Sequence, residues 1–471
     1  MRTWVGVGAV ACLTACGGVM DSSLLDGGGA YDGGDGSIAI DAGTDSTVVD
    51  TGPPCTGLEC QIVKCEAGTT TLSGAVMTPN GMYPVYNAAV YIPSQATSAI
   101  ADGVTCQACQ APLSGKPLVT GQLGVATTDS KGQFQLKDVP VGASIPLVVQ
   151  IGKWRREATV AIPNACADNK ADPDAIRLPK NQQEGHLPLI AVQGGACDNP
   201  ACTLLERIGI DQAEFTPASG TGRIHTYQGY GGSGNGGSSA LPAGSSDAYA
   251  LWGNLTAMMK YDLLVNGCEC NWYPRDTQGP AYDNLHQYLA AGGRFIGTHY
   301  HYDWFANAAQ FSGDTTCKGP PDFNGVAQWG TTTAQPPTSV DVGHPRGAAF
   351  ASWLVDQNAA TTLGTADLIA QDLRYDVGPV ASGTTRWMSE SSGVESLYLT
   401  FNTPVGSTSQ CGRAAFSDMH VRSDNPTTWP SSCQAPLAGG PNDELAFTFL
   451  FFDMFSCVQD DTKPPIVPPW Q

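Results

Sequence analysis

Basic residues are scarce in this sequence of 471 residues. It has 23 Lys and Arg against 43 Asp and Glu, which gives a formal net charge of -20. Phosphate contacts need clustered Lys and Arg, so nucleic acid is excluded as an expected partner. Charged residues of either sign make up only 14% of the chain, whereas hydrophobic residues make up 42%. The composition therefore predicts several folded units with apolar cores, at roughly 150 residues per domain.

Long apolar runs are also missing, because no stretch reaches the ~18 residues that a membrane-spanning helix needs. The first sixteen residues combine Arg2 with an apolar run from Trp4 to Leu13, a pattern typical of a signal peptide. Their last four residues, LTAC, resemble the bacterial lipobox. We expect residues 1–16 to be a lipoprotein signal peptide and Cys16 to carry the lipid that reaches the membrane. An ordinary cleaved signal is the alternative.

Gly17 follows the predicted lipidated cysteine, and this resembles the outer-membrane sorting signal of enteric bacteria. We therefore expect an exported protein, anchored to the cell envelope at the outer membrane or cell surface. Residues 17–54 are rich in Gly, Asp and Ser and cannot bury enough apolar surface to fold, so they predict a flexible tether. Residues 460–471 form a Pro-rich tail.

Fourteen cysteines remain once Cys12 leaves with the signal peptide and Cys16 takes lipid. An even number in an exported chain predicts a disulfide framework of up to seven bridges. No histidine lies near the Cys106-Gln-Ala-Cys109 motif, and no helix is expected to begin at it. A structural disulfide is therefore favoured over a redox or zinc pair. We expect Cys268 and Cys270 to be disulfide-bonded as well.

Residues 55–182 lack any helical period. Short runs with β-type composition alternate with turn signals such as Pro79-Asn80-Gly81. This spacing predicts a small antiparallel β-sandwich. The predicted strands are Thr71–Met77, Ala88–Ile92, Gln133–Val139, Ile145–Ile151 and Glu157–Ile162, the last two forming a hairpin.

The segments TLSGAVMTPNG, YPVYNAAVYIP and ATTDSKGQFQLKDVPVG resemble the carboxypeptidase regulatory-like, or transthyretin-like, domain. An insertion at about 94–121, which contains Cys106 and Cys109, departs from that pattern. The resemblance implies a spacer or a module that faces carbohydrate or protein. No catalytic constellation lies in this region.

Residues 183–459 alternate strand and helix patterns, with short apolar strands at His186–Val192, Asp262–Asn266 and Arg294–Gly297. A helix is expected from Ser246 or Asp247 to about Lys260, and another over Tyr282–Ala291. This alternation predicts a doubly wound α/β domain of flavodoxin-like, three-layer type, with a mostly parallel sheet covered on both faces. The expected fold class is therefore multidomain, and ligands should bind beyond the carboxyl ends of the strands.

Polar side chains follow the third of these strands in the segment GTHYHYDWF. If the chain stays extended, His299, His301 and Asp303 lie on one face, because alternate residues of a strand share a face. Together with His344 they form a candidate metal site, since imidazole and carboxylate suit Zn, Fe or Ni. His299 and His420 are the candidate catalytic bases. Aromatic residues that could stack on a ligand are Tyr300, Tyr302 and Trp304, together with Tyr273 and Trp329.

The segments YDLLVNG and LHQYLAAGGRFIGTHYHYDWF, with the later GRAAFSDMH, resemble the ThuA-like branch of the class I glutamine-amidotransferase fold. In that fold the elbow after the strand presents a nucleophilic cysteine. Here the position is His299, so the resemblance excludes glutaminase activity. His301 stands where a tight elbow needs a small residue, and we therefore expect a relaxed turn.

Three functions are possible for the site that these residues would form. We expect first a cell-surface lipoprotein that binds or scaffolds carbohydrate or cell-envelope material through a degenerate amidotransferase-like cleft. The alternative is a sugar-modifying enzyme that depends on His299 and His420 or on the metal set. The third interpretation is a surface scaffold whose histidines are satisfied polar residues. No cofactor is expected apart from a divalent metal in the second case.

Overall fold

A computed structural model describes most of the chain beyond residue 55. The described ranges are 56–109, 122–230, 232, 236–238, 240–311, 317–330, 338–368, 373–390, 392–421, 428–434 and 442–466. The predicted signal peptide, the lipidation site Cys16 and the tether at 17–54 lie outside the described residues. So do part of the insertion at 94–121 and the last residues of the Pro-rich tail.

Two small sheets form the first folded region. Three strands pair in the order β4-β1-β7 and four in the order β3-β2-β5-β6. All pairs are antiparallel except β1 with β7, which is parallel. The strands are β1 (Thr71–Ala75), β2 (Ala89–Pro93), β3 (Gln122–Thr127), β4 (Gln133–Lys137), β5 (Gly142–Ile151), β6 (Trp154–Ile162) and β7 (Asp168–Lys170).

The inner faces of both sheets contribute to one hydrophobic cluster, for example Leu72 and Leu136 with Val90 and Val149. The predicted hairpin is confirmed, because β5 and β6 pair from Ile145–Val160 to Ile151–Trp154. The sequence pattern did not indicate β3 or β7, and the parallel β7 makes the sandwich mixed. β7 is only three residues long, too short for a period-2 pattern to be recognised.

The second region is built on one large mixed sheet. Its strand order is β11-β10-β8-β12-β13-β20-β19-β18-β15-β16, and β9 also pairs with β10. Strands β14 and β17 form a separate pair. The strands are β8 (Ile190–Gly194), β9 (Phe215–Thr216), β10 (Ile224–Gln228), β11 (Ser246–Asp247), β12 (Leu263–Asn266), β13 (Arg294–Thr298), β14 (Ala327–Trp329), β15 (Thr338–Val340), β16 (Thr365–Ala366), β17 (Val377–Val380), β18 (Thr384–Glu390), β19 (Ser396–Thr403) and β20 (Gly412–Ser417).

The sheet is parallel from β11 to β20 and antiparallel from β20 to β16. The expected parallel arrangement therefore holds around β13, but one side of the sheet departs from it. Successive side chains of the parallel strands enter two different hydrophobic clusters. Leu263, Val265 and Ile296 belong to one, and Leu264 and Phe295 belong to the other. Each face of the sheet is thus covered by its own apolar layer.

Helices and helical turns occur in both regions. The helices are α1 (Pro173–Ile176), α2 (Ala248–Trp252), α3 (Leu255–Met258), α4 (Ala281–Ala290), α5 (Pro321–Asn324), α6 (Pro345–Asp356) and α7 (Asn442–Asp453), with a π-helical turn at Ala201–Leu205 and 3-10 turns at Leu58–Gln61, Gln212–Glu214, Arg275–Gln278, His299–Trp304 and Ser431–Gln434. Among the described residues, no helix combines the length and the apolar character that crossing a bilayer requires.

The single helix expected from about 246 to 260 is in fact two short helices, α2 and α3. Asn254 separates them, because its side-chain oxygen accepts a hydrogen bond from the backbone N–H of Ala257 at 3.1 Å and caps the second helix. Close packing at Gly253 also contributes to the break between the two helices, since a Cβ on this residue would lie 2.1 Å from the carbonyl oxygen of Gln278. The prediction of one continuous helix was wrong for these local reasons.

Helix α7 lies between the sandwich and the large sheet, and its residues 443–453 are all buried. On one side Trp154 packs against Phe451 and Phe452, with ring centroids 6.3 and 5.4 Å apart. Phe449 of the same helix packs against Phe350 of α6, with ring centroids 4.9 Å apart. All five residues belong to one cluster, so the two regions share a hydrophobic core. They also form one compact unit from residue 55 onward.

Buried ion pairs also stabilise this part of the molecule. Arg413 on β20 is fully buried and donates hydrogen bonds to Asp453 at 3.0 Å and to Asp461 at 2.9 Å. Arg346 of α6 adds a second cation 3.0 Å from Asp461. In the turn between β5 and β6, Lys153 lies 2.6 Å from Asp262 at the start of β12. Arg413 thus has a structural role and does not face the cleft.

Five disulfides cross-link the described residues, which agrees with the expected framework. Cys106 and Cys109 are both oxidised, but each bonds a distant residue and not the other. They tie the segment before β3 to the start of β20 and to the residues after α7. The bridges are Cys65–Cys166, Cys106–Cys411, Cys109–Cys457, Cys197–Cys270 and Cys202–Cys433.

Candidate active site at the carboxyl edge of the sheet

The carboxyl ends of three neighbouring parallel strands bring together side chains that are far apart in sequence. Cys268 follows β12, His299 follows β13 directly, and His420 follows β20. Because β13 pairs in parallel with both β12 and β20, the three strand ends lie at the same edge. Ligands of open α/β sheets bind at this kind of edge.

His299 occupies a sharp turn between strand and helix. Its φ is +42°, a left-handed conformation that is uncommon for residues other than glycine, and a 3-10 turn over His299–Trp304 begins there. The expected relaxed turn is therefore wrong. The small residue that the turn requires is Gly297, because a Cβ there would lie 2.9 Å from the Cβ of His301. Strained backbone of this kind concentrates at functional sites.

Cys268, His299 and His420 form a compact cluster. The Sγ atom of Cys268 lies 3.3 Å from Nδ1 of His299, and the rings of His299 and His420 have centroids 5.0 Å apart. One donor atom from each residue falls within 4.8 Å of the other two. Cys268 and His420 are fully buried and His299 is 9% exposed. The three side chains could together hold a metal ion.

Two carboxylates lie behind the cluster. Oδ2 of Asp376, just before β17, is 3.4 Å from Nε2 of His299. The backbone N–H of Asp376 in turn donates to Oδ2 of Asp418 at 2.7 Å. Burial, together with the charge of Asp376, raises the pKa of Asp418 well above its usual range. The carboxylate of Asp376 thus lies on the Nε2 side of the His299 ring, and Nδ1 faces Cys268.

Burial sets the protonation state of the cluster in the absence of any ion. Together with the smaller effect of the charge of Arg374, it lowers the pKa of His299 to about 3. It raises the pKa of the Cys268 thiol to about 12, although the backbone N–H of Cys270 donates to its sulfur. At neutral pH the imidazole is therefore neutral and the thiol is protonated. A buried, protonated thiol is a poor nucleophile.

The structure does not assemble the metal set predicted from the extended segment. In the 3-10 turn His301 points away from His299, and its Nε2 lies 3.1 Å from both Oε1 of Gln193 and the carbonyl oxygen of Gly267. Its Nδ1 accepts a hydrogen bond from Trp304. Asp303 accepts a hydrogen bond from the buried Arg275 at 2.7 Å. The helical turn breaks the alternation on which the prediction depended.

His344, the fourth member of that set, has a local role at the start of α6. Its Nδ1 accepts a hydrogen bond from the backbone N–H of Gly347 at 3.1 Å, so the imidazole caps the helix. Its ring packs edge-on against Trp387 with centroids 5.1 Å apart. His344 therefore does not join the cluster.

Acidification should weaken this cap. The pKa of His344 lies below its ordinary 6.5, because burial lowers it by more than the carboxylates of Asp461 and Asp341 raise it. Below pH 6.5 the unfolded chain then binds a proton that the folded chain does not, and stability falls by up to about 1.4 kcal/mol per pH unit until the lower folded pKa is reached. His344→Asn keeps a capping oxygen but does not titrate. Urea unfolding should show that the natural protein loses stability between pH 7.5 and pH 5, and that the variant loses less. Equal losses of stability in the two proteins would contradict the prediction.

The predicted stacking residues separate into two groups. Tyr302 and Trp304 are 2% and 1% exposed and pack inward, Tyr302 on Phe311 and Trp304 on Trp252. Trp329 is also buried. Tyr300 is partly exposed and covers His299 at a centroid distance of 4.0 Å.

Further exposed or partly exposed rings lie next to Tyr300 in space or in sequence, and the sequence had indicated only some of them. Trp272 is 40% exposed and lies 6.1 Å from Tyr300. Tyr273 stacks on Tyr230 at 4.2 Å, and Tyr230 is 36% exposed. We call these four residues the aromatic rim: Tyr230, Trp272, Tyr273 and Tyr300.

Sequence reasoning missed three members of the site, namely Cys268, Asp376 and Asp418. Cys268 was expected in a disulfide, but it is reduced, and only Cys270 is bonded, to Cys197. The C-x-C spacing indicated that the side chains of Cys268 and Cys270 share a face, as alternate residues of an extended segment do. The turn at Cys270, with φ of +67°, breaks this alternation. The aspartates lie in loops whose approach to His299 is set only by the tertiary fold.

No known protein-family model matches this chain, and no curated protein matches it. Among solved structures, a ThuA-like protein from Bacteroides uniformis is similar at 10% identity and a TM-score of 0.28, over 56% of this chain and 89% of the other. A cohesin–X-dockerin complex from Acetivibrio cellulolyticus is similar at 15% identity and a TM-score of 0.17, over 30% of this chain and 85% of the other.

Proposed function

We propose that this chain is an exported protein, tethered to the cell envelope through lipid on Cys16, that binds carbohydrate or cell-envelope polysaccharide at the carboxyl edge of its large sheet. The aromatic rim beside His299 is the observation that supports the proposal. Partly exposed aromatic faces next to a few polar groups are typical of small-ligand sites. The five disulfides among the described residues are consistent with an oxidising compartment.

Binding in this proposal depends on the exposed rings and not on the buried ones. Trp272 offers the largest exposed aromatic surface of the rim, and Tyr300 connects it to the imidazole of His299. His299 and His420 would supply polar contacts deeper in the site. Tyr302 and Trp304, which were expected to stack on the ligand, would instead support the turn from within.

Trp272→Ala should weaken binding of soluble envelope polysaccharide by roughly tenfold or more, because truncating an aromatic anchor at the centre of an interface commonly costs about 1–2 kcal/mol. The measurement is isothermal titration with polysaccharide fractions that bind the unchanged protein. Leu363→Ala, at a residue 63% exposed and outside the rim, is the matched control. Equal affinities of all three proteins would remove the rim from the binding site.

A second function is favoured by the contact between His299 and Asp376. An imidazole beside a carboxylate and a second imidazole is a set of groups used in general acid–base chemistry, although burial has lowered the pKa of His299 in this structure. The same polysaccharide incubations would show it. Products that accumulate with the unchanged protein and not with His420→Ala would make the protein a sugar-modifying enzyme.

A further inference from the structure

The cluster behind the aromatic rim has the dimensions of a metal site. In a tetrahedral zinc site, with Zn–N near 2.1 Å and Zn–S near 2.3 Å, neighbouring donor atoms are roughly 3.5 Å apart. Cys268 Sγ and His299 Nδ1 are already 3.3 Å apart, and the donor of His420 lies within 4.8 Å of both. Only small side-chain movements would enclose an ion.

The chemistry of the donors selects one class of metal. A thiolate with two imidazoles suits zinc and the late first-row transition metals, whereas Mg²⁺ and Ca²⁺ prefer oxygen ligands. A divalent cation would supply the positive charge that a buried thiolate lacks, and the thiol proton would pass to solvent on binding.

The surroundings orient the donors as metal sites require. A histidine that binds a metal commonly donates its other ring N–H to a carboxylate, which fixes the ring and its tautomer. Asp376 is placed for this role, with Oδ2 3.4 Å from Nε2 of His299 on the far side of the ring from Cys268. Asp376 is itself held by its backbone hydrogen bond to Asp418.

We infer that Cys268, His299 and His420 bind one zinc ion, with Asp376 as the carboxylate that orients His299. Among the described residues these three form the ligand group, and structural zinc sites usually have four protein ligands. With these three protein ligands the site would be of the open type, in which water or a substrate oxygen takes the remaining position. The inference does not depend on carbohydrate being the ligand of the rim.

Metal analysis of the purified full chain tests this assignment. After dialysis against a weak chelator, we expect one equivalent of zinc in the unchanged protein and none in Cys268→Ala or His420→Ala. Asp376→Asn should retain the site but weaken zinc affinity by about 10–100-fold. The matched controls are His286→Ala, at a half-exposed histidine of α4, and Cys317→Ser, at a buried cysteine outside the cluster, and both should retain full zinc.

Cobalt provides a readout that does not depend on zinc content. Titration of the apo chain with Co²⁺ should produce a thiolate-to-cobalt charge-transfer band, and this band should be absent in Cys268→Ser. If Cys268→Ala does not fold, Cys268→Ser and a thermal-shift titration of His420→Ala with zinc replace it. Zinc should raise the Tm of the unchanged protein and leave that of His420→Ala in place.

Two results would overturn the assignment. One is a chain that takes up neither zinc nor cobalt when the ions are supplied in excess. The other is zinc that stays bound in equal amount in Cys268→Ala and His420→Ala, which would identify adventitious binding elsewhere. Either result would leave polysaccharide binding by Trp272 untouched, so the two proposals fail separately.

Discussion

Arg275→Met should lower the free energy of unfolding by about 3–5 kcal/mol, because it strands two buried carboxylates. Arg275 has no exposed surface, lies 2.7 Å from Asp303 and also pairs with Glu269, which is equally buried. Its guanidinium lies 5.4 Å from the ring of Trp252 and 5.8 Å from that of Trp304. Urea unfolding followed by circular dichroism measures the loss without relying on these tryptophans as fluorophores.

The triple variant Arg275→Met, Glu269→Gln and Asp303→Asn is the matched control. It removes the stranded charges together with the cation, so most of the lost stability should return. Glu269 follows Cys268 directly and Asp303 belongs to the turn that begins at His299. The ion group is therefore joined through the backbone to two members of the cluster. A single Arg275→Met variant within 1 kcal/mol of the unchanged protein would show that this support is dispensable.

The second large effect is expected at the bridge between Cys109 and Cys457. Replacing both residues with alanine should cost about 2–4 kcal/mol in oxidised protein, because the bridge restricts the unfolded chain. It joins residues separated by 348 positions, and Cys106–Cys411 spans 305 positions nearby. Thermal unfolding of oxidised samples measures the difference in Tm.

Reduction separates the cross-link from packing. When all disulfides are reduced, the Cys109→Ala/Cys457→Ala variant and the unchanged protein should have equal stability. A difference that persists under reduction would mean that the alanines disturb packing. Equal stability of the two oxidised proteins would show instead that the bridge adds nothing to the stability of the fold.

The sequence predicted the elements that depend on local patterns. Short apolar runs located β12 and β13 to within a residue or two, and the G-T-H step placed His299 at the end of a strand. The hairpin of β5 and β6 followed from its central Gly152. These features are encoded within about ten residues, so a single sequence is enough to recognise them.

Features that depend on distant partners were not accessible in the same way. His301 and Asp303 share a face with His299 only in an extended chain, and the 3-10 turn rotates them into the core. Whether Cys268 or Cys270 is oxidised depends on the position of Cys197, which the spacing of the two cysteines does not reveal. The contact between Asp376 and His299 joins residues that are 77 positions apart in the sequence.

Helix α7 illustrates the same limit on a larger scale. Its sequence, NDELAFTFLFFD, is apolar on nearly all sides, which indicates complete burial but not the identity of the neighbours. The structure supplies two of them, Trp154 of the sandwich and Phe350 of α6. Only the tertiary fold shows that one helix serves both regions.

Sharing this helix has a consequence for how the protein evolves. A gene fragment that encodes the sandwich alone would leave Trp154 without its aromatic partners, and a fragment without the sandwich would expose one side of Phe451 and Phe452. Recombination that separates these segments would therefore expose apolar surface that the intact chain buries. The two regions resemble separate modules in sequence, but we expect selection to keep them together because they share one core.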